Sequence, residues 1–293
     1  NTLETSSTRT SKHANGRLSR TQHCEAHMSI EQKVSLTIQA IDALTELCAP
    51  LTEVQWKTAT DCPGWSVQDN ISHLVGIENM LLGKPPTTHK SPKYDYIKNP
   101  IGEHNEHEID ARRSLPGSEV FTEWKATAAE RANQLRTADA EYFAKPMMMP
   151  TGPGTLGDFL DIRILDLWIH DQDIRRALNI AGNHGGPCAE HTIDRLIRTL
   201  PIVVGKRAAT PEGESVSITI TGAVQRTIYI SVTEGRANIV ASAPAKLLCE
   251  ISLDSNVFTA LATGRKQSTE LNWTSTGDTA LAQRIVSQLN MMI

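Results

Sequence analysis

The most regular stretch of the chain is Asp158–Ala181, DFLDIRILDLWIHDQDIRRALNIA, whose apolar positions recur every three or four residues and predict one long helix. At 100° per residue, Asp166 and His170 lie one turn apart on a stripe that also carries Phe159, Arg163, Asp173 and Ala177, flanked by Leu167 and Ile174. Trp168, Asp171, Gln172 and Arg175 occupy the opposite side. A carboxylate and an imidazole on an apolar stripe need partners, since unpaired polar groups are costly to bury. His73, within a different predicted helix, is the candidate, with a divalent metal between the three.

The same periodicity marks the other helices. Ser29 and Gln32 form a capping box before Val34, Ile38, Ile41, Leu44 and Leu47, a helix that ends near Pro50. Trp56 to Trp65 reads as an ordered loop around Cys62-Pro63-Gly64. Ser66 and Asp69 cap a helix running to Gly83 with Ile71, Leu74, Val75, Ile77 and Leu81 on its apolar side. Residues 84–117 form a long polar connection, partly helical over Asn99–Arg113. A further helix starts near Ser118 and turns Val120, Trp124, Ala128 and Leu135 inward, and Thr155 with Asp158 caps the helix described first. Four long helices make a bundle, and bundle cores commonly hold metal sites.

Past Gly182 the period changes. A helix over about Cys188 to Val204 precedes alternating β-branched runs, Ser215–Gly222 and Thr227–Thr233, with further strands near Ala237–Ala241, Lys246–Ser252 and Thr269–Thr274. Asp254–Thr263 and Gly277–Leu289 read as helices. The pattern predicts an α+β chain of two domains, a four-helix bundle over 29–182 and a small α/β domain with a mostly antiparallel sheet over 183–293. Residues 1–28 are polar and aperiodic and read as a disordered extension, and Met28 suits a translation start.

Composition narrows the function classes. The chain has 293 residues, 21% of them charged, with a net charge of −4 and acids and bases intermixed, so nothing resembles a nucleic-acid groove. No apolar run approaches the roughly 18 residues of a membrane span. The five cysteines are scattered with no CxxC pair, a pattern of reduced thiols in a cytoplasm, and Cys62 reads as a small structural residue. The partners that remain are small molecules, for a monomer or a homodimer.

Two histidines and one carboxylate suit zinc with an open coordination position, but equally iron(II), nickel or manganese, and an Asp four residues before a His is also an ordinary helix ion pair. Arg112 and Arg113 beside Glu106, Glu108 and Asp110 read either as a self-neutralising charge cluster or as a fork for a substrate carboxylate. Arg163 competes for the second role. His104 and His107 read as a solvated face.

DCPGWSVQDNISHLVGIENMLLG (Asp61–Gly83) resembles the metal-binding helix of the mycothiol-dependent maleylpyruvate isomerase family, a DinB-like four-helix bundle, and DLWIHDQDIRRAL (Asp166–Leu178) resembles its second ligand motif. NPIGEHNEHEIDARR (Asn99–Arg113) is similar to its connecting segment. GRANI (Gly235–Ile239), VFTALATGR (Val257–Arg265) and GDTALAQRIVSQLN (Gly277–Asn290) are similar to the sterol-carrier-protein-like domain often fused behind that bundle. The resemblance implies His73, Asp166 and His170 as metal ligands, zinc as the usual metal, mycothiol as cosubstrate, an actinobacterial cytoplasm, and Arg113 as the arginine tied to activity. The family's isomerase carries Glu where this chain has Asp166, one methylene shorter, which brings the metal nearer the helix or loses a ligand.

Two expectations from other classes stand beside the thiol-dependent isomerase or S-transferase: a non-catalytic metal-binding regulator or sensor, and an apolar-ligand carrier acting through the C-terminal domain.

Overall fold

The structure is a computed structural model and describes residues 28–292, so the expected N-terminal extension lies almost wholly outside the described residues. Three capping boxes read from the sequence set helix starts. Ser29 and Gln32 open α1 (Ile30–Cys48), Ser66 and Asp69 open α3 (Val67–Leu81), and Thr155 and Asp158 open α7 (Leu156–Leu178). A fourth box, Thr52 and Gln55, starts the four-residue α2 (Glu53–Trp56), just ahead of the stretch expected as an ordered loop. The connection is ordered as a helix over α4 (Pro100–Asp110), where Asn99 caps and proline takes the first turn, in which no backbone donor is missed. α5 (Gly117–Thr137) and the short α6 (Ala140–Ala144) lead through the hairpin of β1 (Pro146–Met149) and β2 (Gly152–Thr155) into α7. Helix α7 ends three residues before the expected Ala181, because Asn179 turns left-handed at φ 54° and stops it.

In the helical region α1 packs on α7 and α3 on α5, with α3 also against α4 and α7. Leu44, Ile71, Trp124 and Leu167 fill the space between them without exposure, and the Trp124 indole donates to Thr45 Oγ1 at 2.9 Å. Gly117 lets α5 start directly against the Trp56 ring, which any β-carbon there would strike.

The expected helix over Cys188–Val204 is two elements. α8 spans Pro187–Ile197, and a π-helical turn spans Ile202–Arg207, because Pro201 has no N–H to continue an α-helical ladder. Five strands follow, β3 (Ser215–Thr221), β4 (Arg226–Thr233), β5 (Arg236–Val240), β6 (Cys249–Asp254) and β7 (Trp273–Gly277), in the sheet order β5-β4-β3-β6-β7. All neighbours are antiparallel except β3 and β6, which run parallel. β6 and β7 lie a few residues beyond the expected runs, since short strands without strict alternation fix their own ends poorly. α9 (Ser255–Ala262) and α10 (Thr279–Ser287) cover the sheet. One apolar cluster is continuous from Leu44 and Trp168 in the helices to Ile218, Phe258 and Ile285 in the sheet region. Among the described residues no helix is long and apolar enough to cross a membrane.

Candidate metal centre

α3 and α7 face each other with His73 on one and Asp166 and His170 on the other, the i,i+4 spacing on α7 turning both side chains to the same side. His73 Nε2 lies 3.3 Å from Asp166 Oδ2, and His170 Nε2 lies 3.4 Å from Asp166 Oδ1. One donor atom from each residue falls within 4.8 Å of the other two, so the three expected ligands converge. Both histidines are buried, and Asp166 keeps 19% side-chain exposure, which leaves the cluster open on the carboxylate side.

The residues around the cluster fix it. Asn70, one turn before His73, spends both amide hydrogens on Thr60 Oγ1 (3.1 Å) and the Ser66 carbonyl (2.8 Å), so its Oδ1 is turned to His170 Nδ1 at 2.6 Å. Asp173 Oδ2 stands 3.2 Å from the same nitrogen. Two acceptors on Nδ1 assign it a proton, and the second ring nitrogen then points at a carboxylate. That ring is satisfied either as an imidazolium or with a cation lying between Nε2 and Asp166, and a set of two imidazoles and one carboxylate fits a divalent ion. The His170 pKa is raised: burial opposes this, but Asp166 and Asp173 outweigh it. His73 is pushed down, chiefly by burial, and its Nδ1 has no hydrogen-bond partner. Asp166 is held well below the usual carboxylate range by His73, Arg163 and His170 in spite of its burial.

Asp173 is fully buried and ionised, its pKa lowered against burial by Arg265 and His170. Arg265 follows α9 and reaches back to Asp173, with Nη2 on Oδ2 at 2.9 Å, while Arg176 Nη2 takes Oδ1 at 2.5 Å. Lys266 adds a 2.8 Å ion pair to Asp61, which also binds Arg176. The sheet region therefore holds the carboxylate that holds His170.

Above the rings sits Trp65, its centroid 5.2 Å from His73 and 5.9 Å from His170. Its indole N–H donates to Glu106 Oε2 at 3.1 Å, and the buried Glu106 is gripped by Tyr96 Oη (2.9 Å) and Arg113 Nη1 (2.5 Å). Arg113 also pairs with Asp69 and Asp110 and lies over the Tyr94 ring. It reaches the histidines at two removes, through Glu106 and Trp65, and its donors are already met by three carboxylates and a tyrosine. Arg112 pairs with Glu108 and Glu123. The self-neutralising cluster is thus present, but largely buried instead of solvated. Arg163 is 2% exposed and bound to Glu78 and Asp166, so it faces that carboxylate and not an opening. His104 is exposed, and His107 accepts from Ser91. Cys62 is buried and its thiol is pushed up to about 12 by that burial, in keeping with a structural residue. The four described cysteines are all free and buried.

Sequence reasoning missed Asn70, Glu78, Trp65 and Arg265 as parts of the site, and placed Asp173 on the stripe without a role. The only signals for them were that stripe and the arginine closing the Val257–Arg265 stretch.

Residues 38–175 match the family model described as the mycothiol maleylpyruvate isomerase N-terminal domain. The helical region belongs to that family. Two solved structures of mycothiol-dependent maleylpyruvate isomerase are similar in fold over both regions. One, a histidine-to-alanine mutant, aligns with a TM-score of 0.54, and the other with 0.51, each at 15% identity over 85% of this chain and 93% of its own. No curated protein matches the sequence. The α+β architecture is that of these isomerases, helices first and an antiparallel-rich sheet after them.

Proposed function

We propose that the protein is a metalloenzyme that uses a low-molecular-weight thiol, mycothiol, to isomerise or transfer sulfur to a small electrophilic substrate bearing a carboxylate. The observation that carries this reading is the convergence of His73, Asp166 and His170 within one helix pair of a maleylpyruvate isomerase-type bundle. These three residues would hold a divalent ion, zinc by family resemblance. A bound ion would supply the charge that keeps a thiol as thiolate near neutral pH, where a free thiol with a pKa of about 8.5 is mostly protonated.

The chain's own residues prepare that chemistry. Asn70 and Asp173 keep the His170 proton on Nδ1 and so present Nε2. Trp65 covers one side of both imidazoles and limits water there. Arg113, the expected anchor for the substrate carboxylate, sits on the Trp65 side of the cluster and holds Glu106, which holds the indole. Addition of the thiol sulfur to an electrophilic carbon, followed by its expulsion, isomerises a double bond with no net oxidation or reduction. Residues 29–182 form the metal-binding domain in this reading. The sterol-carrier-like domain of 183–293 closes on it through Arg265, in a cytoplasmic actinobacterial protein that is a monomer or a homodimer.

Purified protein should contain one divalent ion per chain and consume maleylpyruvate only when mycothiol is added. His73→Ala and His170→Ala should each lose the ion and the activity while keeping their helical circular dichroism. Wild-type protein that binds no stoichiometric metal would overturn the reading.

A further inference from the structure

A row of buried charges runs from the far side of the helical region to the metal cluster. Tyr142 Oη accepts from Arg131 Nη1 at 2.7 Å, and Gln134 Oε1 accepts from the same nitrogen at 2.5 Å. Arg131 Nε donates to Glu78 Oε2 at 3.1 Å, and Glu78 Oε1 accepts from Arg163 Nε at 3.1 Å and Nη2 at 2.7 Å. Arg163 Nη1 then donates to Asp166 Oδ2 at 2.5 Å. The side chains of Arg131, Glu78 and Arg163 are 2%, 0% and 2% exposed. Buried ion chains of this kind do little better for stability than apolar side chains of the same volume, because desolvation offsets their attraction. Their use here has to be sought at the end that reaches the ligand.

We propose that Arg163 is a positioning residue that commits Asp166 to the metal centre through a single oxygen, Oδ1. The proposal rests on the metal-site reading above. Arg163 cannot turn away from Asp166, because two of its nitrogens are fixed on Glu78 and Glu78 is fixed in turn by Arg131. Its remaining nitrogen takes Oδ2, the oxygen that also lies 3.3 Å from His73 Nε2, and Oδ1, which faces His170 Nε2, is the oxygen left without a guanidinium. A carboxylate held this way keeps its rotamer and shares its charge with the guanidinium. It therefore donates less to an ion, which stays more electron-poor toward an incoming thiol. The same hold suits a ligand as short as Asp, whose reach is fixed by the helix and whose orientation then decides whether it ligates at all.

The test is the visible spectrum and dissociation constant of cobalt(II) in the full chain, with circular dichroism as a fold check. Wild type should bind one cobalt. Arg163→Met should release Oδ2 to the ion and change the cobalt band toward the weaker absorption of a higher coordination number. Arg163→Lys, which keeps one donor for Oδ2, should return the wild-type band. An Arg163→Met protein with the wild-type band overturns the proposal and leaves the metal site standing. Wild type that takes up no cobalt overturns both. Should Arg163→Met fail to fold, Glu78→Gln loosens the same anchor: its band should shift in the same direction, and an unchanged band overturns the proposal.

Discussion

Between α3 and α7 the helical region buries Asn70, Glu78, Arg163, His170 and Asp173 at 3% exposure or less, while the sheet region buries Val216, Ile218, Ile230, Leu253, Phe258 and Ile285. Among the described residues, the buried polar side chains from Thr192 onward are all serine or threonine. The apolar interior is favourable in proportion to the area it removes from water. The charged one is close to neutral even when every partner is present, and strongly unfavourable when one is missing. The difference separates two uses of burial. In the sheet region it stabilises the fold. In the helices it holds side chains in fixed orientations near a cluster that faces solvent on one side.

The comparison is broken most directly at Glu78 and Phe258. Glu78→Ala strands two buried guanidiniums and should cost about 3–5 kcal/mol in urea unfolding. Phe258→Ala should cost about as much through its cavity. The two should part on rescue. A triple apolar variant, Glu78→Leu with Arg131→Met and Arg163→Met, should recover the wild-type stability, whereas a second apolar change beside position 258 should not. Failure of the triple variant to recover would mean that the charges themselves stabilise the helices.

Arg265→Met, at the contact between the regions, is expected to cost about 2 kcal/mol, because Asp173 loses charged hydrogen bonds but keeps Arg176. It should also weaken metal binding, since Asp173 orients His170. A loss of stability with metal affinity unchanged would confine Arg265 to a structural tie.

Acid gives the smallest and most graded effect. Asp173, Asp166, Glu123 and Asp110 all titrate low and all lie in the helical region. A carboxylate that binds its proton more weakly folded than unfolded contributes fully above the ordinary value near 3.9 and loses that contribution as the pH falls through its folded value. Amide protection measured by hydrogen exchange should therefore decline below about pH 4 in α3 and α7 before it declines in the sheet.

Local rules made much of this legible in advance. Ser29, Ser66 and Thr155 announce their helices because a capping box is complete within four residues, and β3 and β4 follow from strict alternation. The break at Pro201 and the true ends of β6 and β7 were not legible, since register there depends on neighbours distant in sequence. At the site, the i,i+4 pair on α7 needs only helix geometry, and His73 is its candidate partner from its place within a second predicted helix as well as by the family resemblance. Asn70 could not be read as the acceptor for His170, nor Arg265 as the partner of Asp173, because each meets its target across about 90 to 100 residues of chain. Arg163 was read from the right stripe, but its engagement by Glu78 depends on the packing of two helices.

The parallel pairing of β3 with β6 also bears on how the sheet is assembled. Val216 lies beside Cys249, so β3, β4 and β5 can zip as a meander while one edge of β3 waits for a strand that follows all three. Until it arrives, Val216, Ile218 and Ile220 border an unpaired ladder, the kind of edge that recruits strands from other molecules. The aggregation hazard of a half-folded chain is therefore concentrated in one seven-residue strand that is paired along both edges once folding is complete.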